Sequence, residues 1–362
     1  MDFQFNFSID TVPENKIDAT GDRKMQEKTV DASTDKKENA TESNEGISSE
    51  EHIINWESSS KITANVTACT ALSENGTSLP KKHFCPQSVK EHNIPKDGSK
   101  VLENKVVVTL PCTSAGISVV ETTFPVDLTG GDVVSKSISS HSDLITGVYE
   151  GGLKIWECTY DLIDYLVEAE IPFAQKSVLD LGCGAGLLGV LALKSHAKEV
   201  HFQDYNSSVI EEITLPNVLV NCAYQGDDVG GIADPCLKQC SERDFDQDLL
   251  SKCKFFSGEW SAFSKLLLSS KKPLAKYDLI LTSETIYNPS YYEALHDTLS
   301  HLLGMNGCVF LASKAHYFGC GGGILLFTKF IEEKNIFKCR TVEVIEKGLN
   351  RFIIELVFKN SF

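Results

Sequence analysis

Apolar positions fall into regular patterns only after about residue 100. Residues 8–55 contain no Phe, Trp or Tyr and are dominated by Asp, Glu, Lys, Ser, Thr and Asn. Such a segment cannot bury enough apolar surface to offset the entropy of ordering it. Residues 1–100 are therefore expected to form a disordered acidic tail. From Val101 the texture changes. Lys105–Leu110 and Gly116–Glu121 read as short strands, and Ile155–Glu168 carries apolar residues at helical spacing, with Pro172 marking its end. A regular alternation follows: Ser177–Leu181 a strand, Leu187–Ser195 a helix, Glu199–Gln203 a strand and Ser207–Asn221 a helix. Cys253–Phe256 and Tyr277–Thr282 read as strands, Tyr291–Leu303 as a helix and Cys308–Ala312 as a fifth strand. Cys339–Ile345 and Asn350–Phe358 then read as a hairpin turning around Gly348.

Alternating strands and helices imply an α/β fold with a doubly wound, mostly parallel sheet. Seven strands are expected, closed by the antiparallel C-terminal hairpin. The domain spans 101–362, with its core at about 144–358, and residues 223–252 interrupt the alternation as a long insertion loop. No internal repeat is apparent.

Composition narrows the possible functions. The 362 residues are 42% hydrophobic and 23% charged, which supports a real core, and the net charge is −16. That sign argues against nucleic-acid binding, which needs a basic face, and favours a basic protein partner. Residues 1–60 hold 14 acids and 6 bases, so that stretch alone carries a net −8, half of the imbalance. No basic-then-apolar leader opens the chain, and no run of 18 apolar residues suggests a membrane span. The twelve cysteines include no CxxC pair, and only Cys236 and Cys240 (CxxxC) come close to ligand spacing. His141, His196, His201, His296, His301 and His316 show no metal-binding spacing, so no metal is expected.

The strongest chemical signal is the run from Asp180 to Gly189 (DLGCGAGLLG), which ends a strand and opens a helix. Gly182, Gly184 and Gly186 allow a tight turn and close backbone approach to a ligand. Position 187 is Leu, so the dinucleotide pattern GxGxxG fails, and Asp180 suits a cationic, amine-bearing ligand better than a pyrophosphate. That failure, together with the absence of a convincing hydride-transfer pair, counts against an NAD-type oxidoreductase. Asp204, ending the second strand 24 residues later, stands near the spacing of a ribose-binding acid, though it could simply cap a helix. Trp260, in Gly258-Glu259-Trp260, follows the third strand and can stack on an adenine, unless it is a core residue.

Together these features resemble the seven-β-strand class of S-adenosylmethionine-dependent methyltransferases. Thr282–Tyr287 (TSETIY) is similar to the Asp-Val-Ile-Tyr-type motif of the subgroup that methylates protein Lys or His, with Glu284 where Asp is common. Asp143–Thr159 (DLITGVYEGGLKIWECT) is similar to the leading segment of the eukaryotic histidine protein methyltransferases. That family methylates the distal (tele) ring nitrogen of a histidine in a large-subunit ribosomal protein. The resemblance implies S-adenosylmethionine as cofactor and a pocket lined by Ile155, Trp156, Glu157, Cys158, Thr159, Asp180, Gly182, Gly184, Gln203, Asp204, Tyr205, Gly258, Glu259, Trp260 and Ser283.

In-line methyl transfer to a neutral imidazole needs alignment within about 3–3.5 Å and the right tautomer. Glu284 is the expected acceptor of the second nitrogen's N–H, or the group that steadies the imidazolium, and Tyr287 is expected to shape the mouth. Glu284 could equally be a helix N-terminal acid favoured by the dipole. The implied partner is a basic ribosomal protein or pre-ribosomal particle, with the chain acting as a monomer in cytoplasm and nucleus, including the nucleolus. Two alternatives stay open: a lysine-directed enzyme of the same subgroup, and a non-enzymatic interaction protein on the same fold.

Overall fold

A computed structural model describes residues 88–110, 115–121, 143–223, 245–269 and 276–359. The tail up to residue 87, His141, the 224–244 part of the insertion and the Cys236/Cys240 pair lie outside the described residues. Ten strands are described: β1 Lys90–His92, β2 Val106–Thr109, β3 Ser118–Glu121, β4 Ser177–Leu181, β5 Glu199–Asp204, β6 Cys253–Ser257, β7 Tyr277–Ser283, β8 Leu303–Lys314, β9 Phe337–Ile345 and β10 Arg351–Phe358. All but β2 and β3 form one sheet in the order β1-β6-β5-β4-β7-β8-β10-β9. Strands β4 to β8 run parallel, and β10 inserts antiparallel between β8 and β9.

Burial on both faces explains the apolar strands. Along β4, Val178 joins one core with Phe202, Leu281 and Phe310, while Leu179 and Leu181 join the other with Phe256, Ile280 and Val309. This alternation follows from the two-residue period of a strand. Leu162 and Leu166 of the helix Glu157–Glu168, Leu191 of Leu187–Lys194 and Val218 of the 207–221 segment cover the first face. The second face is covered by the helices Trp260–Ser269, Tyr292–Leu302 and Ile324–Lys334. Within 207–221, Ile210–Thr214 is a π-helical turn just before Pro216. Proline lacks the N–H an α-helix would use there, and a widened turn accommodates that loss.

The seven expected strands are present, and an eighth, β1, lies at the edge against β6. This corrects the tail boundary, which was placed at about 100: the chain is already paired into the sheet at Lys90. The strand is only Lys-Glu-His, too short and polar to show an apolar period. Glu211 holds it instead: its Oε1 pairs with Lys90 Nζ at 2.6 Å and lies 3.0 Å from Nδ1 of His92, whose pKa burial lowers. The end of the insertion is corrected likewise, because Gln247–Ser251 is a helix whose N-cap Asp246 accepts from Leu249 N. The helices Trp260–Ser269 and Ile324–Lys334 went unread in the sequence.

The hairpin β2–β3 docks through two asparagines of the 207–221 segment. Asn217 Oδ1 accepts from Val120 N at 2.8 Å and its Nδ2 donates to Ala185 O at 2.9 Å, which links the hairpin to the glycine turn. Asn221 accepts from Ser118 N and donates to Ser118 O. Asn217→Ala leaves buried backbone groups unpaired and should lower unfolding free energy by about 1–3 kcal/mol. Urea denaturation checks this, and an unchanged midpoint would remove the clamp from the account.

Candidate active site

The strand order reverses at β4, where β5 and β6 lie to one side and β7 and β8 to the other. Loops leaving the carboxyl ends there part in opposite directions and leave a cleft. A cavity of about 420 Å³ occupies it, within the usual range for small-molecule sites. The glycine turn forms its floor, and Gly182, Gly184 and Gly186 all adopt left-handed φ of 67°, 48° and 74°. A Cβ at Gly184 would approach Gly152 O to 3.4 Å, so the turn and the 143–159 segment pass at backbone distance.

Two buried acids build this floor. Asp204 accepts from Gly184 N at 3.0 Å through Oδ2 and from Asn206 N at 3.1 Å through Oδ1, which locks the end of β5 to the turn. It also lines the cavity, and burial pushes its carboxyl up to about 6 against the pull of its backbone donors. Asp180 sits behind the turn instead. Its Oδ2 accepts from Gly189 N at 2.9 Å, and burial pushes it up to about 8, with Asp204 adding to the shift.

Behind Trp260 stands Gln203, which is fully buried. Its amide donates to Asp204 O and Gly258 O, and its Oε1 accepts from the Trp260 indole at 3.0 Å. Gln203 therefore aims the indole and does not itself line the cavity. Gly258 also lies outside the lining; a Cβ there would meet Val89 Cα at 2.8 Å, so it lets the β1 segment pack closely. Tyr205, Glu259 and Trp260 face the cavity.

Of the five residues Ile155–Thr159, Ile155, Trp156 and Thr159 line the cavity. Trp156 donates to Gly151 O at 3.0 Å, and Thr159 and Ser283 hydroxyls meet at 2.8 Å. Cys158 points into the core, while Glu157 is 60% exposed and lies 3.6 Å from Lys314. Neither joins the cavity wall.

The mouth holds two carboxylate–phenol clusters. Glu284 has φ 59°, a strained conformation for a non-glycine residue and one that recurs at functional sites. Its side chain is only 7% exposed: Oε2 accepts from Tyr317 OH, and Oε1 lies 3.8 Å from Lys314 Nζ with no hydrogen-bond partner among the described residues. Glu284 thus belongs to the wall, with its carboxylate turned away from solvent. Glu150 was not singled out in the sequence, where only its place in the VYEGG stretch could have flagged it. Its Oε1 accepts from Gly147 N at 2.5 Å and Tyr291 OH at 3.0 Å, and its Oε2 from Tyr287 OH. Burial first, and Glu150 second, push the Tyr287 and Tyr291 phenols above their usual range.

Among the described lining residues, Glu150, Asp204, Glu259 and Glu284 are acidic and Lys154 is the one cation. That donor set, with an aimed indole and a floor of bare backbone, suits a cationic nucleoside such as S-adenosylmethionine and would repel a pyrophosphate. For Asp180 the pH consequence has a definite sign. A carboxyl whose folded pKa is raised from about 4 to about 8 makes folding less favourable as pH climbs through that window. Asp180→Asn keeps an acceptor for Gly189 N and should remove that slope between pH 4 and 8 in thermal unfolding. Parallel stability curves for variant and wild type would contradict it.

Residues 259–318 match the family described as lysine methyltransferase. Over 374 residues and 99% of both chains, the protein is 48% identical to the histidine protein methyltransferase 1 homolog of Bos taurus. The Rattus norvegicus homolog is 49% identical over 373 residues, again covering 99% of both chains. The EEF1A lysine methyltransferase 3 of Mus musculus is 22% identical over 161 residues, 44% of this chain and 55% of its own.

Proposed function

Given that this chain belongs to the histidine protein methyltransferase family, and so is an S-adenosylmethionine-dependent protein-histidine methyltransferase, we propose that it methylates the tele nitrogen of a histidine in a large-subunit ribosomal protein, free or within a pre-ribosomal particle. The observation that carries this reading is the acidic cavity at the strand switch point. It suits the positive charge of the cofactor and the charge that develops on the methylated ring, and the net −16 of the chain favours a basic protein substrate.

Trp260 would take the adenine, Asp204 the ribose hydroxyls, and the 182–186 turn the methionine portion. When bound, S-adenosylmethionine supplies an electrophilic methyl on a positively charged sulfur. The protein's own work is alignment and electrostatics. The substrate enters as a neutral imidazole and gains a positive charge, which the cavity-lining Glu150 carboxylate would stabilise, while Glu284 is held in the wall by Tyr317 and Lys314. The Glu284–Tyr317 and Thr159–Ser283 contacts tie β7, β8 and the 143–159 segment into one rigid rim. A lysine-directed reading keeps support from the family matched at 259–318, since the same acidic wall suits an amine.

Methyl-labelled S-adenosylmethionine, purified protein and lysate from cells lacking the enzyme decide between the two. Label should appear as tele-methylhistidine in one basic band of ribosomal-protein size, whereas methyllysine would move the assignment to the alternative. Trp260→Ala should weaken cofactor binding roughly 5- to 150-fold, the equivalent of about 1–3 kcal/mol for one stacked base. A folded variant with unchanged affinity would take the indole out of the site.

A further inference from the structure

We propose that Tyr287 and Tyr291 form the seat of the target imidazole, and that Glu150 is the positioning residue that makes this seat an acceptor-only surface. The inference rests on the histidine reading above and adds which residues select the tautomer. Both phenols donate to one carboxylate, Tyr291 to Oε1 at 3.0 Å and Tyr287 to Oε2. An ionised carboxylate can only accept, so each phenol has committed its single hydrogen and presents only lone pairs to the cavity. Gly147 N holds the carboxylate from a third side at 2.5 Å.

Ring packing keeps the phenols in place. The two rings stand nearly perpendicular at 6.1 Å, Tyr291 lies edge-on to Trp260 at 6.5 Å, and Tyr287 lies edge-on to Tyr317 at 6.3 Å. Glu150, Tyr287 and Tyr291 all line the cavity, and each is half-buried. Two neighbours that resemble them do not qualify. Tyr292 is buried, with its hydroxyl spent on Ile286 O and Gly323 N. Glu284 has its carboxylate sealed against Tyr317 and Lys314.

A neutral imidazole has one N–H and one lone pair. The acceptor-only seat binds the nitrogen that carries hydrogen and turns the lone pair away towards the reacting methyl. The reverse orientation sets lone pair against lone pair and leaves buried groups unpaired, which is the costly case in discrimination. For a tele product, the seated nitrogen is the proximal one. After transfer the ring carries one positive charge beside the Glu150 carboxylate, and loss of the seated N–H proton to water restores neutrality.

Glu150→Gln in the full-length protein tests this, because the amide hydrogens turn at least one phenol into a donor. Cofactor affinity should stay within about twofold of wild type, while kcat falls roughly 10²-fold, as expected for a misplaced nucleophile. The preference for tele- over pros-methylhistidine should fall about two- to tenfold, the value of one net hydrogen bond. Tyr291→Phe removes one acceptor with Glu150 in place and should shift the same ratio, which keeps the test alive if Glu150→Gln does not fold. Loss of cofactor affinity in a folded Glu150→Gln protein overturns the seat, because Glu150 would then be a cofactor ligand. An unchanged product ratio in both variants also overturns it, while methylhistidine from the wild type leaves the histidine reading intact. Methyllysine from the wild type overturns that reading and the seat together.

Discussion

The site depends on one topological constraint: β4 is paired on both sides, and the chain builds one flank after β4 and the other only after crossing back from β6 to β7. β5 and β6 build outwards on one flank and β7 and β8 on the other, so no connection can cover the carboxyl end of β4. The cleft this leaves would be a weakness without internal support, since the loops after several strands meet there and their backbone groups need partners. Asp204 supplies much of that support by accepting from Gly184 and Asn206, while Asp180 anchors the helix that follows the turn through Gly189. The floor is thus rigid before any ligand arrives, as alignment-driven catalysis requires.

The electrostatics follow from the same crowding. Several carboxylates meet in one partly buried cavity, and burial holds Asp204 at about 6. A site of that kind is expensive when empty of cations and favourable when it receives them. Lys314 offsets the excess on one side, standing 3.8 Å from Glu284 and 5.5 Å above the Trp156 ring. Across the mouth, Glu150 has phenols in place of a cation. The two acids of the rim therefore play different parts: Glu284 is sealed into the wall against Tyr317 and Lys314, and Glu150 faces the cavity with two phenols on its carboxylate.

Much of the fold was legible in the sequence because its strands are apolar on both faces and its turns carry glycine. β4, β5, β6 and β7 fall within one residue of their expected ends. β1 was not legible, since three polar residues held by Glu211 leave no period to read. β8 was read only as Cys308–Ala312, because Gly304, Asn306 and Gly307 mask the start of a strand that begins at Leu303. At the site, the glycine turn, Asp204, Trp260, Glu284 and Tyr287 all come to one cavity, as their places at strand ends suggested. Asp180 and Gln203 carry the right chemistry, but strand alternation turns Asp180 behind the turn, and hydrogen bonding spends Gln203 on the indole. Glu150 escaped notice because its partners lie 137 and 141 residues away, and only folding brings them together.

The most direct test of the account is a crystal structure of the protein with S-adenosylhomocysteine and a histidine-containing substrate peptide. The account predicts the adenine against Trp260, the ribose at Asp204, and the target ring with its N–H on the Tyr287 and Tyr291 oxygens. A peptide histidine seated elsewhere, or Glu150 bound to the amino group of the cofactor product, would contradict it.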